Sequence, residues 1–368
     1  MKKWFHQLIT SFGTPAQWLA PRQPAAIARD GGTTTSAVGS PFDVVMVDSV
    51  TIDSVMAHSV LADSALAEID TEAALFAWLV DRHVDLQAQL GAHEQQALLQ
   101  LDRLAGDACT QNVVVPRAAA VVPRLLAQLR GGASSWSELS QQVSRDVSLV
   151  AEVIRMANAA TYRQRSAVVD LEHAIRVLGI DGLRFAIAKA VLKPMMNSGA
   201  GELSSRAAHR LWQHTDCKAQ LAAALARGDG LDPFDAYLLA LAHNAVWCAL
   251  LRSMDSVTMS AVPWRFSAVF ARTLATHRDR LFAVVARQWQ LNDGLIHIAS
   301  EVAQHGLGAV GSSAPVRLLR AADHLAGLLC THDSAVAKAR AEPLLAELPS
   351  SVQQSFFALT LALQVKPH

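Results

Sequence analysis

The chain has 368 residues, of which 51% are hydrophobic and 17% charged, and its 32 Lys and Arg residues balance 32 Asp and Glu residues. This length predicts more than one folded unit, and the abundance of Ala and Leu predicts an all-α protein. No basic run is interleaved with aromatic residues, so the sequence argues against nucleic-acid binding. Four scattered cysteines without a CxxC spacing are typical of reduced thiols, which predicts a cytoplasmic protein.

The first 70 residues are predicted to contain no independently folded unit. Residues 1–12 have an amphipathic pattern that favours contact with a partner, but polar residues interrupt the apolar stretch, so membrane contact is not favoured. Residues 13–41 are rich in Pro, Gly, Ser and Thr, which predicts a disordered, low-complexity linker. A five-residue near-repeat then runs from Val45 to Ser64, and we assign it no function.

Residues 71–110 are predicted to form a pair of helices separated near Gly91. The apolar stripe of the first helix consists of Leu75, Leu79, Val80, Leu86 and Leu90. The stripe of the second consists of Leu98, Leu101 and Leu104. Amphipathic helices need a surface on which to bury their apolar face, so we expect the pair to pack on the main domain.

Residues 111–335 are predicted to form one helical domain with two subdomains, 113–197 and 203–335. In the first subdomain, Ser135–Glu138 reads as a capping box and Gly179 as a helix end. The hinge between the subdomains is marked by three helix-breaking residues, Pro194, Gly199 and Gly201.

The most apolar helix of the sequence is predicted over Asp235 to Arg252. Between these charged ends every residue is apolar except Tyr237, His243 and Asn244. A helix that is apolar on all sides belongs in the centre of a domain. Asp232 is the predicted N-cap. The sequence therefore places a His-Asn pair halfway along the most buried helix.

Residues 336–368 are predicted to form two closing helices, the first near Pro343 and the second capped by Ser350 or Ser351. The apolar residues of the second are Phe356, Phe357, Leu359 and Leu363. Exposed together they would form an adhesive patch, so they pack inward or mediate formation of a homodimer.

Polar side chains on the predicted core faces of five helices are the candidate site residues. They are His214, His243, Asn244, His277, His305 and Asp323. A single inward histidine is usually a hydrogen-bonded core residue, and a buried aspartate needs a partner. Inward groups on facing helices of a bundle also build metal sites. The residues alone leave both interpretations open.

Seven blocks of the sequence, in order, resemble the HDOD domain, a signalling relative of the HD metal-dependent phosphohydrolases. They are VVVPRAAAVVPRLL, SELSQQVSRDVSLVAEVIRMANAATY, LEHAIRVLGIDGLRFAIAKAVL, LWQHTDCKAQLAAALA, AYLLALAHNAVWCALL, RQWQLNDGLIHIASEVAQH and LLRAADHLAGLL. The resemblance covers Val113 to Cys330. It implies a multi-helical HD-like domain, preceded here by a short helical bundle.

For catalytic relatives the resemblance implies metal ligands at His214, at His243 with its neighbour Asn244, and at Asp323. In bimetallic relatives it implies further ligands at the positions of His277 and His305. The pattern requires Asp where this chain has Asn244, and a neutral amide oxygen is a weaker ligand than a carboxylate. A Gly-Lys segment often follows in active relatives, whereas this chain reads Ala-Val-Trp-Cys. Arg252, roughly two helical turns away, is the nearest basic residue in the sequence.

These departures predict a degenerate metal site without catalytic residues. We expect a non-catalytic bacterial signalling module that contacts other signalling proteins and binds no cofactor, or at most one divalent cation (Mn, Fe or Zn). The alternative is a divalent-metal-dependent phosphohydrolase that acts on a nucleotide or a cyclic dinucleotide. Retention of His214, His243 and Asp323 favours that alternative.

Overall fold

The computed structural model describes residues 70–111, 141, 143–144, 147–158, 167–196, 201–227, 231–256 and 265–364. This part of the chain contains eleven helices and two strands of two residues each, which confirms the all-α prediction. The predictions for residues 1–69, for the capping box at 135–138 and for Gly199 lie outside the described residues.

The elements follow one another along the chain with short connections. They are α1 (Thr71–Val80), β1 (Val84–Asp85), α2 (Ala92–Gln111), α3 (Val147–Ala157), α4 (Leu171–Met196), α5 (Glu202–Ala226), α6 (Pro233–Ser256), β2 (Phe266–Ser267), α7 (Ala268–Gln288), α8 (Asp293–His305), α9 (Ala314–Thr331), α10 (Ser334–Glu347) and α11 (Ser350–Gln364).

Helix α6 is the central helix of the domain, as its composition predicts. It packs against α5 and α7 and also contacts α2, α4, α8 and α9. The Asp232 carboxylate accepts a hydrogen bond from the Asp235 backbone N–H at 2.9 Å, which confirms the predicted N-cap. Among the described residues α6 alone is long and apolar enough to cross a membrane, but 94% of its apolar window is buried in the protein. It is therefore a core helix.

The N-terminal pair of helices is shorter than predicted and joins the core. Helix α1 ends at Asp81, which has a left-handed conformation (φ 56°), so the predicted continuation through Leu86 is wrong and this leucine is 65% exposed. The chain then forms β1, which pairs in parallel with β2. On the buried face of α1, the Phe76 ring lies within 6.3 Å (centroid to centroid) of Trp247 and closer to two further rings, Phe266 and Phe270.

Two helix boundaries differ from the sequence prediction in detail. Gly179 interrupts α4 with φ 66°, so the predicted break is present, although the helix resumes directly after it. Helix α8 is capped by Asn292 and not by Asp293, because the Asn292 side chain accepts a hydrogen bond from the Leu295 N–H at 2.8 Å. Pro315 lies in the first turn of α9, where a proline costs no hydrogen bond.

The C-terminal tail forms the two predicted helices, α10 and α11. Pro343 lies inside α10, which begins at the Asp333 cap. On α11, Phe356 and Leu359 are buried, whereas Phe357 is 44% exposed. The apolar residues of α11 are thus divided between the core and the surface.

Candidate functional site

Four of the six candidate residues meet at one point in the core. His214 lies on α5, His243 and Asn244 on α6, and Asp323 on α9. All four are buried, and the first three have no exposed surface. Helices α5, α6 and α9 contact one another, which brings these side chains together.

The centre of this cluster is Lys218, one helical turn after His214 on α5. Its Nζ atom lies 2.6 Å from His243 Nδ1, 3.1 Å from Asn244 Oδ1 and 2.6 Å from Asp323 Oδ1. An ammonium group has three hydrogens to donate and here it has three acceptors. Lys218 is fully buried, so these contacts replace its hydration.

The Asn244 amide is satisfied on both sides. Its oxygen accepts from Lys218, and its Nδ2 group donates to His214 Nδ1 at 2.9 Å and to Thr215 Oγ1 at 3.1 Å. The Thr215 hydroxyl donates in turn to the Leu211 carbonyl at 2.6 Å. A carboxylate at position 244 has no N–H group and would leave the two acceptors without a donor.

A second ion pair lies on the other side of His243. The His243 Nε2 group donates to Asp279 Oδ1 at 3.0 Å, and the same oxygen accepts from Arg278 Nε at 3.0 Å. The Leu307 backbone N–H donates to Asp279 Oδ2 at 2.8 Å. The ring of His243 therefore has one tautomer that satisfies both neighbours, with the proton on Nε2 and the lone pair on Nδ1 facing Lys218.

Arg278 joins the cluster to the N-terminal helix. Its guanidinium donates to the Glu72 carboxylate on α1 at 3.0 Å and lies 3.6 Å from Asp323 Oδ2. It also lies over the Trp247 ring, 5.7 Å from the centroid. The four most buried charges of the cluster are Lys218, Arg278, Asp279 and Asp323, and they sum to zero.

The electrostatics keep both histidines neutral. Burial lowers the pKa of His214 to about 4 and that of His243 to about 4. Burial acts to raise the pKa of Asp279, but Arg278 and His243 lower it to about 2. Burial likewise opposes ionisation of Asp323, but Lys218 and Arg278 hold its pKa far below the usual range. The carboxylates are therefore charged and the imidazoles are neutral near pH 7.

The remaining two candidate residues are not part of the cluster. His277 Nε2 donates to the Asp102 carboxylate at 2.9 Å, and His277 Nδ1 lies 2.8 Å from the Thr273 carbonyl. His305, the last residue of α8, is exposed. The interpretation of these two histidines as further inward ligands is not supported by their contacts.

Sequence reasoning missed the cationic half of the site. The prediction that Arg252 is the nearest basic residue is wrong in space, because Lys218 and Arg278 both contact the cluster. A signal for Lys218 was present, since a residue four positions after His214 lies on the same helical face. Arg278 and Asp279 had no comparable signal, because they lie beside the stripe that His277 defines.

A divalent metal does not fit these side chains as they are arranged. The atoms that would coordinate it, His243 Nδ1, Asn244 Oδ1 and Asp323 Oδ1, are all within 3.1 Å of the Lys218 ammonium. A second cation cannot share that position with the first. Within the described part of the chain, no group of three or more His, Cys, Asp and Glu side chains is arranged to hold a metal ion.

Solved structures place this helical architecture in a known fold class. A candidate metal-dependent phosphohydrolase from Shewanella amazonensis is similar with a TM-score of 0.52 and 16% identity, over 74% of this chain and 99% of that one. An HDOD domain protein of unknown function from Geobacter sulfurreducens is similar with a TM-score of 0.49 and 20% identity, over 72% and 97% of the two chains. At these identities the likeness concerns the fold alone.

The sequence itself identifies the family. The HDOD domain profile matches residues 115–305, more than half of the chain. The protein belongs to the HDOD domain family, as its sequence blocks predict. No curated protein matches the chain in sequence.

Proposed function

We propose that the protein is a non-catalytic bacterial regulatory module that acts by contact with other signalling proteins. The observation that carries this proposal is the Lys218 ammonium, whose three acceptors are the atoms a catalytic metal would need. Metal-dependent hydrolysis requires a bound cation that activates water or polarises the phosphoryl oxygen. A fixed ammonium supplies neither a water ligand nor an open coordination position.

The buried network has a structural role under this proposal. Every polar atom that Lys218 contacts is an acceptor with a second partner or a charge, and satisfied networks of this kind specify a single packing arrangement of a core. The network connects α5, α6, α7 and α9 with α1, so it fixes the relative positions of five helices. A regulatory scaffold needs such a defined surface for its partners.

We place the protein in the cytoplasm, and two observations support this. The described cysteines Cys217, Cys248 and Cys330 are free and buried, which is typical of a reducing compartment. Its one membrane-length apolar helix, α6, is a core helix. Other signalling proteins are the proposed partners, and a second copy of the chain is the alternative.

The competing function is divalent-metal-dependent hydrolysis of a nucleotide or cyclic dinucleotide. The convergence of His214, His243 and Asp323 favours it. The test uses tag-free full-length protein with added Mn²⁺, Fe²⁺ or Zn²⁺ and, as substrates, bis-p-nitrophenyl phosphate, nucleoside triphosphates and cyclic dinucleotides. We expect no turnover above that of the metal alone.

The matched control for this assay is the exposed His305. Turnover that is lost in His243→Ala but kept in His305→Ala would overturn the regulatory proposal. Turnover that survives both substitutions would belong to a contaminating enzyme and would leave no activity to this chain.

A further inference from the structure

We propose that the Lys218 ammonium is an internal substitute for a divalent cation, and that Lys218 and Asn244 form a matched pair that keeps a latent metal site closed. This inference deepens the proposed function, because it names the two residues that separate this core from a metal centre. It assigns to the pocket a ligand class, a divalent transition metal, that the natural chain excludes by its own side chain.

The atoms around Lys218 Nζ are of the types that bind such metals. One imidazole nitrogen and one carboxylate oxygen lie 2.6 Å from Nζ, and an amide oxygen lies at 3.1 Å. A second imidazole, that of His214, is hydrogen-bonded to the same amide, and its Nε2 lies 3.9 Å from Asp323 Oδ1. Imidazole and carboxylate donors on facing helices are the usual ligand set for Zn²⁺, Mn²⁺ or Fe²⁺.

Charge balance explains why the two residues belong together. With Lys218 and Asn244, two cations and two carboxylates in the cluster cancel. With alanine at 218, aspartate at 244 and one divalent cation, Arg278 and the metal contribute three positive charges, and Asp279, Asp323 and the new carboxylate contribute three negative ones. Either combination is neutral, whereas a change at only one of the two positions leaves a net charge in a fully buried pocket.

Hydrogen bonding leads to the same pairing. The Asn244 Nδ2 group occupies the lone pair of His214 Nδ1, so this nitrogen cannot bind a metal in the natural chain. An aspartate at 244 would release that nitrogen and add a charged oxygen. Beside an intact Lys218, however, it would only form another ion pair with the ammonium. Both substitutions are therefore needed to open the site.

The experiment compares metal uptake by four tag-free, full-length proteins: the natural chain, Lys218→Ala, Asn244→Asp and the double variant. Each is incubated with excess Co²⁺, desalted and analysed for metal content and for visible d–d absorption. We expect about one tightly held cobalt ion per chain in the double variant and less than about a tenth of that in the natural chain and in Asn244→Asp. Lys218→Ala should bind more weakly than the double variant, by roughly tenfold or more.

The matched control is a second buried lysine on another helix. Lys189 on α4 is also buried and forms an ion pair with Asp216. The variant Lys189→Ala with Asn244→Asp has the same composition change as the double variant, but it leaves Lys218 in the pocket. We expect it to bind no cobalt above the level of the natural chain.

Each outcome decides the inference. A double variant that is folded by circular dichroism and holds no more cobalt than the natural chain overturns it. If the double variant is unfolded alone, it is refolded with Co²⁺, and failure to recover helicity overturns the inference as well. Uptake by the natural chain would equally refute it. Failure of the proposed function would appear elsewhere, as phosphoester turnover by the natural chain.

Discussion

Lowering the pH from 7 to 5 should strongly destabilise the fold, because two neutral histidines are buried in the Lys218 cluster. The pKa of His214 and that of His243 are lowered by burial from 6.5 to about 4. A histidine with a lowered pKa contributes stability that is present above pH 6.5 and is lost as the pH falls towards 4, since the unfolded chain takes up protons first. Each contributes a slope of about 1.4 kcal/mol per pH unit in this window.

Together the two side chains reduce the free energy of unfolding by about 3.5 kcal/mol between pH 7 and pH 5. Burial also lowers the pKa of His324 to about 4, so this residue adds to the same slope. Asp279, whose pKa lies at about 2, contributes only below this window. A loss of this size is a large part of the stability of a typical domain, which is roughly 5–15 kcal/mol.

The assay is urea denaturation followed by circular dichroism at pH 7, 6 and 5. His214→Gln removes one titrating group and should reduce the slope by about 1.4 kcal/mol per pH unit. His305→Gln changes an exposed side chain and should leave the slope unaltered. An unchanged slope in His214→Gln, or a natural chain equally stable at pH 5 and 7, would refute the assignment of neutral imidazoles to the core.

Three further predictions concern stability measured by urea denaturation at pH 7. Lys218→Met removes the cation that faces Asp323, and breaking a buried pair in this way should cost about 3–5 kcal/mol; a loss below about 1 kcal/mol would contradict the described contacts. Glu72→Gln should cost about 1–3 kcal/mol, because the buried Arg278 loses a charged acceptor, and high salt should not abolish the difference if the pair is shielded from solvent. Phe76→Ala should cost about 3–5 kcal/mol through loss of a buried ring, whereas Phe357→Ala, at a half-exposed position, should cost far less.

Much of the fold could be predicted because strong local signals agreed with the final packing. The composition of α6 identified the central helix, and Asp232 identified its beginning. The extension of α1 through Leu86 was wrong because a leucine stripe continues past a residue in the left-handed conformation, Asp81. Periodicity does not detect such a break when no glycine marks it.

The site was predicted only in part, for a reason that concerns helix α7. Reading one apolar stripe assumes that a helix buries a single face. Helix α7 contacts α1, α2, α6 and α8, so the consecutive residues His277, Arg278 and Asp279 are all buried. Lys218 was overlooked because lysine is normally exposed, and only a set of fitted acceptors permits its burial. Such acceptors come from other helices and are not visible in a local pattern.

The Glu72–Arg278 pair has a consequence for where the folding unit begins. Helix α1 precedes the region matched by the HDOD profile, yet it supplies an acceptor for a buried guanidinium and a ring that covers Trp247, Phe266 and Phe270. A truncation that starts at residue 115 would uncover these aromatic rings and leave Arg278 without its outer partner. The smallest autonomous fragment must therefore retain the chain from Asp70 onward, and a shorter one should precipitate on expression.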